Sequence, residues 1–264
     1  MKNNKNTIFI SIIALFAIFA IALVAFYINR DVIYKFLRGT EISDDKSLSG
    51  GIVPLEEYIP EPYEYFSDII FLGDSIMTGF DIYRDYIEFD GEKVLKNVTV
   101  AASVGYGVNN AVSYVTDNSI NLIYNDKAMR PEDIAAERNE KYVFICLGLN
   151  DLVVMNAEKY IKKYCMLIDN IESKNPDKTV VVLSVTPLVA RQQGGNMTND
   201  AINAANSLLL EFATERNIPF IDWAEAVRGE DNALRKDLSS DGYCHLKVEA
   251  YNLLVEYLLC HPVR

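Results

Sequence analysis

A chain of 264 residues that is 50% hydrophobic and 23% charged can bury a core of ordinary size, and its 16 tyrosines set it apart from disordered sequences. The net charge of −12 understates the acidity of the main body: residues 1–30 hold Lys2, Lys5 and Arg30 and no acid, leaving 22 basic and 37 acidic residues, a net of −15. Such a surface excludes nucleic acid as a partner and is repelled by anionic lipid headgroups.

Residues 8–27 read IFISIIALFAIFAIALVAFY, a charge-free run. At about 20 residues, a helix of this length matches the hydrocarbon core of a bilayer. Lys2 and Lys5 precede it and Arg30, Lys35 and Arg38 follow it. The leading lysines favour a cytoplasmic N-terminus and an outward-facing domain, although the later cations weaken that bias. The run is long for a cleaved signal peptide, and the small-residue pattern Ala20-Ile21-Ala22 lies inside it rather than after it. An uncleaved signal anchor over residues 1–30 is therefore expected. Residues 31–65 are polar and turn-rich, with prolines at 54, 60 and 62, and are expected to form a stalk ahead of a catalytic domain at 66–264.

Apolar runs of strand length then alternate with helical patterns. Strands are expected at Asp68–Gly73, Val94–Ala101, Tyr142–Leu147, Thr179–Val185 and Ile218–Ile221, and helices at Glu158–Ser173, Asn199–Arg216 and Lys247–Leu259. Continuous runs such as Val180-Val-Val-Leu183 suit a parallel sheet covered on both faces. The alternation predicts an α/β fold, a three-layer α/β/α sandwich on about five strands. Asp117–Glu140 is too long and polar for a simple connection and is expected to form a lid or a side wall.

Ligands of an open parallel sheet bind beyond the carboxyl ends of its strands. The first strand ends in Gly73-Asp74-Ser75-Ile76, the second in Ala101-Ala-Ser-Val-Gly105-Tyr-Gly107, and the third in Gly148-Leu149-Asn150-Asp151. A serine at a strand-to-helix turn can present its hydroxyl at the sheet rim, and is equally an ordinary turn residue. Gly105 and Gly107 can aim backbone amides at a ligand or simply form turns. Asn150 can donate to an oxyanion or cap a helix, and Asp151 can cap the helix that follows. Near the C-terminus, Asp241 precedes His245, the order in which a carboxylate orients a catalytic imidazole. The other histidine, His261, lies in the terminal tail, so a serine hydrolase built on this chain has His245 as its base. Cys146, Cys165, Cys244 and Cys260 show no metal-ligand spacing and are expected to be free thiols; no metal and no cofactor is expected.

Taken together, these blocks resemble the SGNH (GDSL) hydrolase family, in the family's own order and over about Asp68 to Leu259. The resemblance implies a flavodoxin-like sandwich with strand order 2-1-3-4-5. It implies Ser75 as nucleophile, an oxyanion hole from the amides of Ser75 and Gly105 and the side chain of Asn150, and a His245–Asp241 pair. The family's usual spacing is Asp-x-x-His, whereas Asp241 stands four positions before His245. Asp237 is the next carboxylate upstream, and a backbone carbonyl is a further way to orient the ring.

The activity implied is ester hydrolysis through an acyl-enzyme. Polar residues in 117–140 and 186–196, among them Asn118, Arg130, Arg191 and Gln192, point to a hydroxyl-rich substrate, most simply an O-acetylated glycan. A lipase or lysophospholipase, an O-acyltransferase, and a catalytically silent glycan-binding or assembly protein are the alternatives.

Overall fold

A computed structural model describes residues 62–190, 195 and 197–263. The expected anchor at 8–27 and most of the expected stalk lie outside the described residues. Among the described residues, no helix is long and apolar enough to cross a membrane.

The domain is built on β1 (Ile69–Gly73), β2 (Thr99–Ala102), β5 (Tyr142–Cys146), β6 (Thr179–Leu183) and β7 (Phe220–Ile221), with a separate antiparallel hairpin of β3 (Leu122–Tyr124) and β4 (Lys127–Met129). The five-stranded sheet is parallel throughout and runs β2-β1-β5-β6-β7, so its strands taken in sequence stand in the order 2-1-3-4-5. Every residue of β1 and β5 is buried, which is why both read as unbroken apolar runs. Helices α1 (Pro62–Ser67), α2 (Ser75–Tyr83), α3 (Val108–Ala111), α4 (Pro131–Ala136), α5 (Leu149–Val154), α6 (Ala157–Lys174), α7 (Asn199–Glu215) and α8 (Val248–Cys260) connect the strands and cover the sheet.

Caps fix the long helices where the sequence places them. Asn156 accepts the Lys159 N–H at 3.0 Å to start α6, and Thr198 accepts the Ala201 N–H at 3.1 Å to start α7. Tyr160, Tyr164, Leu167, Ile168 and Ile171 form the buried stripe of α6. The Tyr160 and Tyr164 hydroxyls reach the Leu147 and Ile145 carbonyls, so their polar ends are satisfied within the core.

Three expectations are corrected, and one alternative is decided. The second strand is shorter than Val94–Ala101: Val94–Val98 winds through turns, with Val98 N–H donating to the Leu95 carbonyl at 3.1 Å. Its apolar Val94 and Leu95 are buried from those turns, which made the segment look like strand. The last strand begins at Phe220 rather than Ile218, because Pro219 has no N–H to give a ladder. Residues 62–65, expected to end a stalk, belong to the domain: α1 sends Tyr65 and Phe66 into the core, and the Tyr65 hydroxyl accepts the Val263 N–H. Of the lid and the side wall expected for 117–140, the structure has the second. Asn125 (φ 49°) and Asp126 (φ 60°) turn the β3–β4 hairpin, and Ser103 Oγ bonds the Asn121 carbonyl at 2.6 Å, pinning the segment beside β2. It is a side wall.

Candidate active site

Gly73 pairs with Ala102 on one side and Cys146 on the other, so the loops after β2, β1 and β5 leave the sheet side by side. A Cβ at Gly73 would lie 2.2 Å from Met77 Cγ and 2.9 Å from the Cys146 carbonyl, so only glycine lets the chain turn this tightly into α2. Ser75 is the first residue of α2. The Asp74 side chain caps the helix by accepting the Ile76 N–H at 2.9 Å. A first-turn N–H has no partner inside its own helix, so the Ser75 amide remains available at the sheet rim.

The loop before α8 brings up the other half. His245 Nε2 lies 3.1 Å from Ser75 Oγ, and its Nδ1 lies 2.6 Å from Asp241 Oδ2. The extra residue between Asp241 and His245 is absorbed locally. Gly242 sits at φ 71°, and Asp241 Oδ1 gathers the N–H groups of Tyr243 (2.7 Å), Cys244 (3.1 Å) and His245 (3.2 Å) with the Ser239 hydroxyl (3.1 Å). Burial works to raise the Asp241 carboxyl, but the bonds from His245, Tyr243 and Ser239 outweigh it and hold it down at about 2. Asp237 points elsewhere and pairs with Arg235 at 2.7 Å. His261 is remote from this chain of bonds: it stacks on Tyr257 with ring centroids 4.0 Å apart and bonds the Tyr257 carbonyl through Nδ1.

Gly105 follows β2 at φ 79°, a left-handed conformation that L side chains rarely adopt. Asn150 Nδ2 donates to the Tyr106 carbonyl at 3.0 Å, which joins the β5 loop to the β2 loop and leaves the amide a second N–H. The sequence suggested that Asp151 caps the helix that follows it, but Asn156 caps that helix, and Asp151 lies inside α5 without being its cap. Gly148 takes that position, and the Asp151 carboxylate crosses to the N-terminus of α3. Ile120, on the side wall, comes within 3.1 Å of where a Cβ on Gly105 would stand. Neither contact is visible in local sequence.

Among the described residues, Asp241, Cys244 and His245 form the group whose ligand atoms lie within 4.8 Å of one another. Both ring nitrogens of His245 and Oδ2 of Asp241 are already engaged along the Ser75–His245–Asp241 chain, so this geometry serves proton transfer rather than ion binding. No disulfide joins the cysteines.

Asp74 is almost completely buried. Burial pushes its carboxyl from 3.8 to about 7, against the pull of the Ile76 N–H, and Asp151 pushes it further. Because the folded pKa lies above the unfolded value, folding favours the neutral acid. That contribution is complete below about pH 4 and is lost as pH rises through about 7, a difference on the order of 4 kcal/mol. Asp74→Asn keeps a capping oxygen and carries no charge. It is expected to raise Tm at pH 8 by clearly more than at pH 5, where about a third of the contribution is already lost, measured by scanning calorimetry beside the parent; an equal shift at both would contradict the buried charge.

No curated protein matches the chain by sequence. Solved structures match its fold. A GDSL-like lipase from Bacteroides thetaiotaomicron shares 17% identity at TM-score 0.54, covering 76% of this chain and 89% of that one. A protein assigned to the acylhydrolases from Bacteroides fragilis shares 16% at 0.55, covering 74% and 88%. One assigned to the G-D-S-L lipolytic family from Desulfitobacterium hafniense shares 17% at 0.52, covering 74% and 98%. Residues 71–253 match the GDSL-like lipase/acylhydrolase family, so the chain belongs to that family and is an ester-hydrolysing enzyme.

Proposed function

We propose that the enzyme removes small acyl groups, above all O-acetyl groups on a glycan, from a position tethered to the membrane by residues 8–27 with the catalytic domain outside the cytoplasm. The observation that carries the substrate reading is the openness of the hydrogen-bonded chain. The His245 and Asp241 side chains are 45% and 36% exposed, unlike groups at the bottom of a tunnel for a long acyl chain. Ile120 against Gly105 narrows the space on the wall side, which suits a small acyl group carried by a bulky acceptor.

The mechanism is two-step acyl transfer. As Ser75 Oγ attacks the ester carbonyl, its proton passes to His245 Nε2, and Asp241 stabilises the imidazolium through Nδ1–H. The carbonyl oxygen becomes an oxyanion held by the N–H groups of Ser75 and Gly105 and the second N–H of Asn150. Each such donor contributes about 3–4 kcal/mol to the barrier reduction. The ester C–O bond breaks as His245 returns its proton to the leaving alcohol. Water, deprotonated by His245, then attacks the acyl-enzyme and releases the acid and Ser75.

A second reading has its own support. Val104, Ile120 and Ile123 are exposed on and beside the oxyanion loop at 69%, 44% and 55%, so the wall is less polar than its sequence suggested and offers surface to a longer acyl chain. Arg191 and Gln192, which entered the polar-loop argument, lie outside the described residues. Initial rates on p-nitrophenyl acetate, octanoate and decanoate separate the two readings. Acetate is expected to be cleaved fastest, with Ser75-dependent acetate release from an acetylated glycan. Rates rising towards decanoate would replace this reading with the lipase.

A further inference from the structure

An oxyanion donor on a loop works only if its N–H is fixed before the reaction begins. The loop that carries Gly105 is held in part by its own residues: the Tyr106 N–H donates to the Ser103 carbonyl at 3.1 Å, the Ser103 hydroxyl donates to the Asn121 carbonyl at 2.6 Å, and the Tyr106 side chain is buried, whereas Gly105 has no side chain and Val104 is mostly exposed. Beyond Gly105, further constraints come from the β5 loop. Asn150 holds the Tyr106 carbonyl at 3.0 Å. The next residue, Asp151, is buried at 2% exposure and accepts the Val108 N–H at 2.9 Å and the Asn109 N–H at 3.3 Å. These are the first two amides of α3, which have no partners inside their own helix. A Cβ on Gly107 would lie 2.6 Å from each Asp151 carboxylate oxygen, although its φ of −151° would suit any residue. Gly107 is therefore glycine to admit this carboxylate.

We infer that Asp151 is a positioning residue: by clamping the start of α3 through two backbone N–H groups, it sets the Gly105 amide against Ser75. It acts through the backbone without touching Ser75 or substrate. A carboxylate is suited to the task because both its oxygens accept. An asparagine of the same shape would turn its NH₂ towards one of the two amides and leave that buried donor unsatisfied. Burial raises the Asp151 carboxyl, while the two N–H bonds and Lys163 favour its charged form. The inference rests on the proposed oxyanion hole of Ser75, Gly105 and Asn150.

The test measures kcat, KM and Tm on p-nitrophenyl acetate for the parent, Asn150→Ala, Asp151→Asn, Asp151→Ala, Gly107→Ala and Gly107→Ala/Asp151→Ala. A displacement near 1 Å at a reacting centre costs up to about 100-fold. Asp151→Asn and Gly107→Ala are each expected to lower kcat by about 10- to 100-fold, with KM within about threefold. With the carboxylate gone the added methyl has room, so Gly107→Ala should cost less than about threefold in the Asp151→Ala background. Should Asp151→Asn fail to fold, Gly107→Ala, which removes no hydrogen bond, reads the same contact. Near-parental kcat for Gly107→Ala or a folded Asp151→Asn, beside a slowed Asn150→Ala, would overturn the clamp alone. So would a Gly107→Ala effect of equal size with and without Asp151. Full kcat in Asn150→Ala would overturn the oxyanion hole, and the clamp with it.

Discussion

Ser75→Ala and His245→Ala are each expected to lower kcat by about 10⁴- to 10⁶-fold, and the double variant to be little worse than either, because residues that act on one proton fail as a unit. The 3.1 Å approach of His245 Nε2 to Ser75 Oγ is the physical reason. Without the imidazole the hydroxyl keeps its proton and is a poor nucleophile; without the hydroxyl the imidazole has nothing to activate. His261→Ala is the matched control. Its ring is stacked on Tyr257 and bonded to the Tyr257 carbonyl, so its loss should leave kcat within about twofold of the parent, as for sites outside the catalytic group. Steady-state rates on p-nitrophenyl acetate check all four variants. A His261 variant that loses activity while His245→Ala keeps it would dismantle the assignment.

Asp241→Asn should cost about 10³- to 10⁴-fold in kcat, and Asp237→Asn almost nothing. The asparagine oxygen can still accept the N–H groups of Tyr243, Cys244 and His245, so the turn should survive. Its NH₂ would then face Nδ1 and demand an acceptor there, which puts the proton on Nε2 and blocks it as a base towards Ser75. Asp237 has no part in this, being exposed and paired with Arg235. Since Asp241 stays ionised down to about pH 2, its own protonation does not set the acid limb of activity between pH 4 and 7. Kinetics of both variants across that range check the ranking. The reverse order would move the acid to Asp237, and small effects from both would leave a Ser–His dyad.

Much of this fold is legible in the sequence because burial on both faces leaves no alternation to misread. Val180-Val-Val-Leu183 reads as an inner parallel strand, and the helical patterns from Glu158 and Asn199 fall on α6 and α7. The segment 117–140 was obscure for the opposite reason. Its strands are three residues each, and the Asn125-Asp126 turn between them was the signal available for a hairpin. Ser75, Asp241 and His245 could be picked out because each stands in a short block beside a strand end or the last helix. Their convergence depended on a turn that no spacing rule describes, in which one carboxylate oxygen collects three successive amides. Asp151 was misjudged because its partners lie 43 and 42 residues away in the chain. A helix cap is a local event, and the local reading favoured one.

The central claim, that Ser75 is the nucleophile activated by His245, is tested most directly by mapping the covalent adduct of a fluorophosphonate with peptide mass spectrometry. The adduct should fall on Ser75, form far more slowly in His245→Ala, and be absent from Ser75→Ala, which should also lack esterase activity. An adduct on a different serine, or full esterase activity in Ser75→Ala, would contradict it.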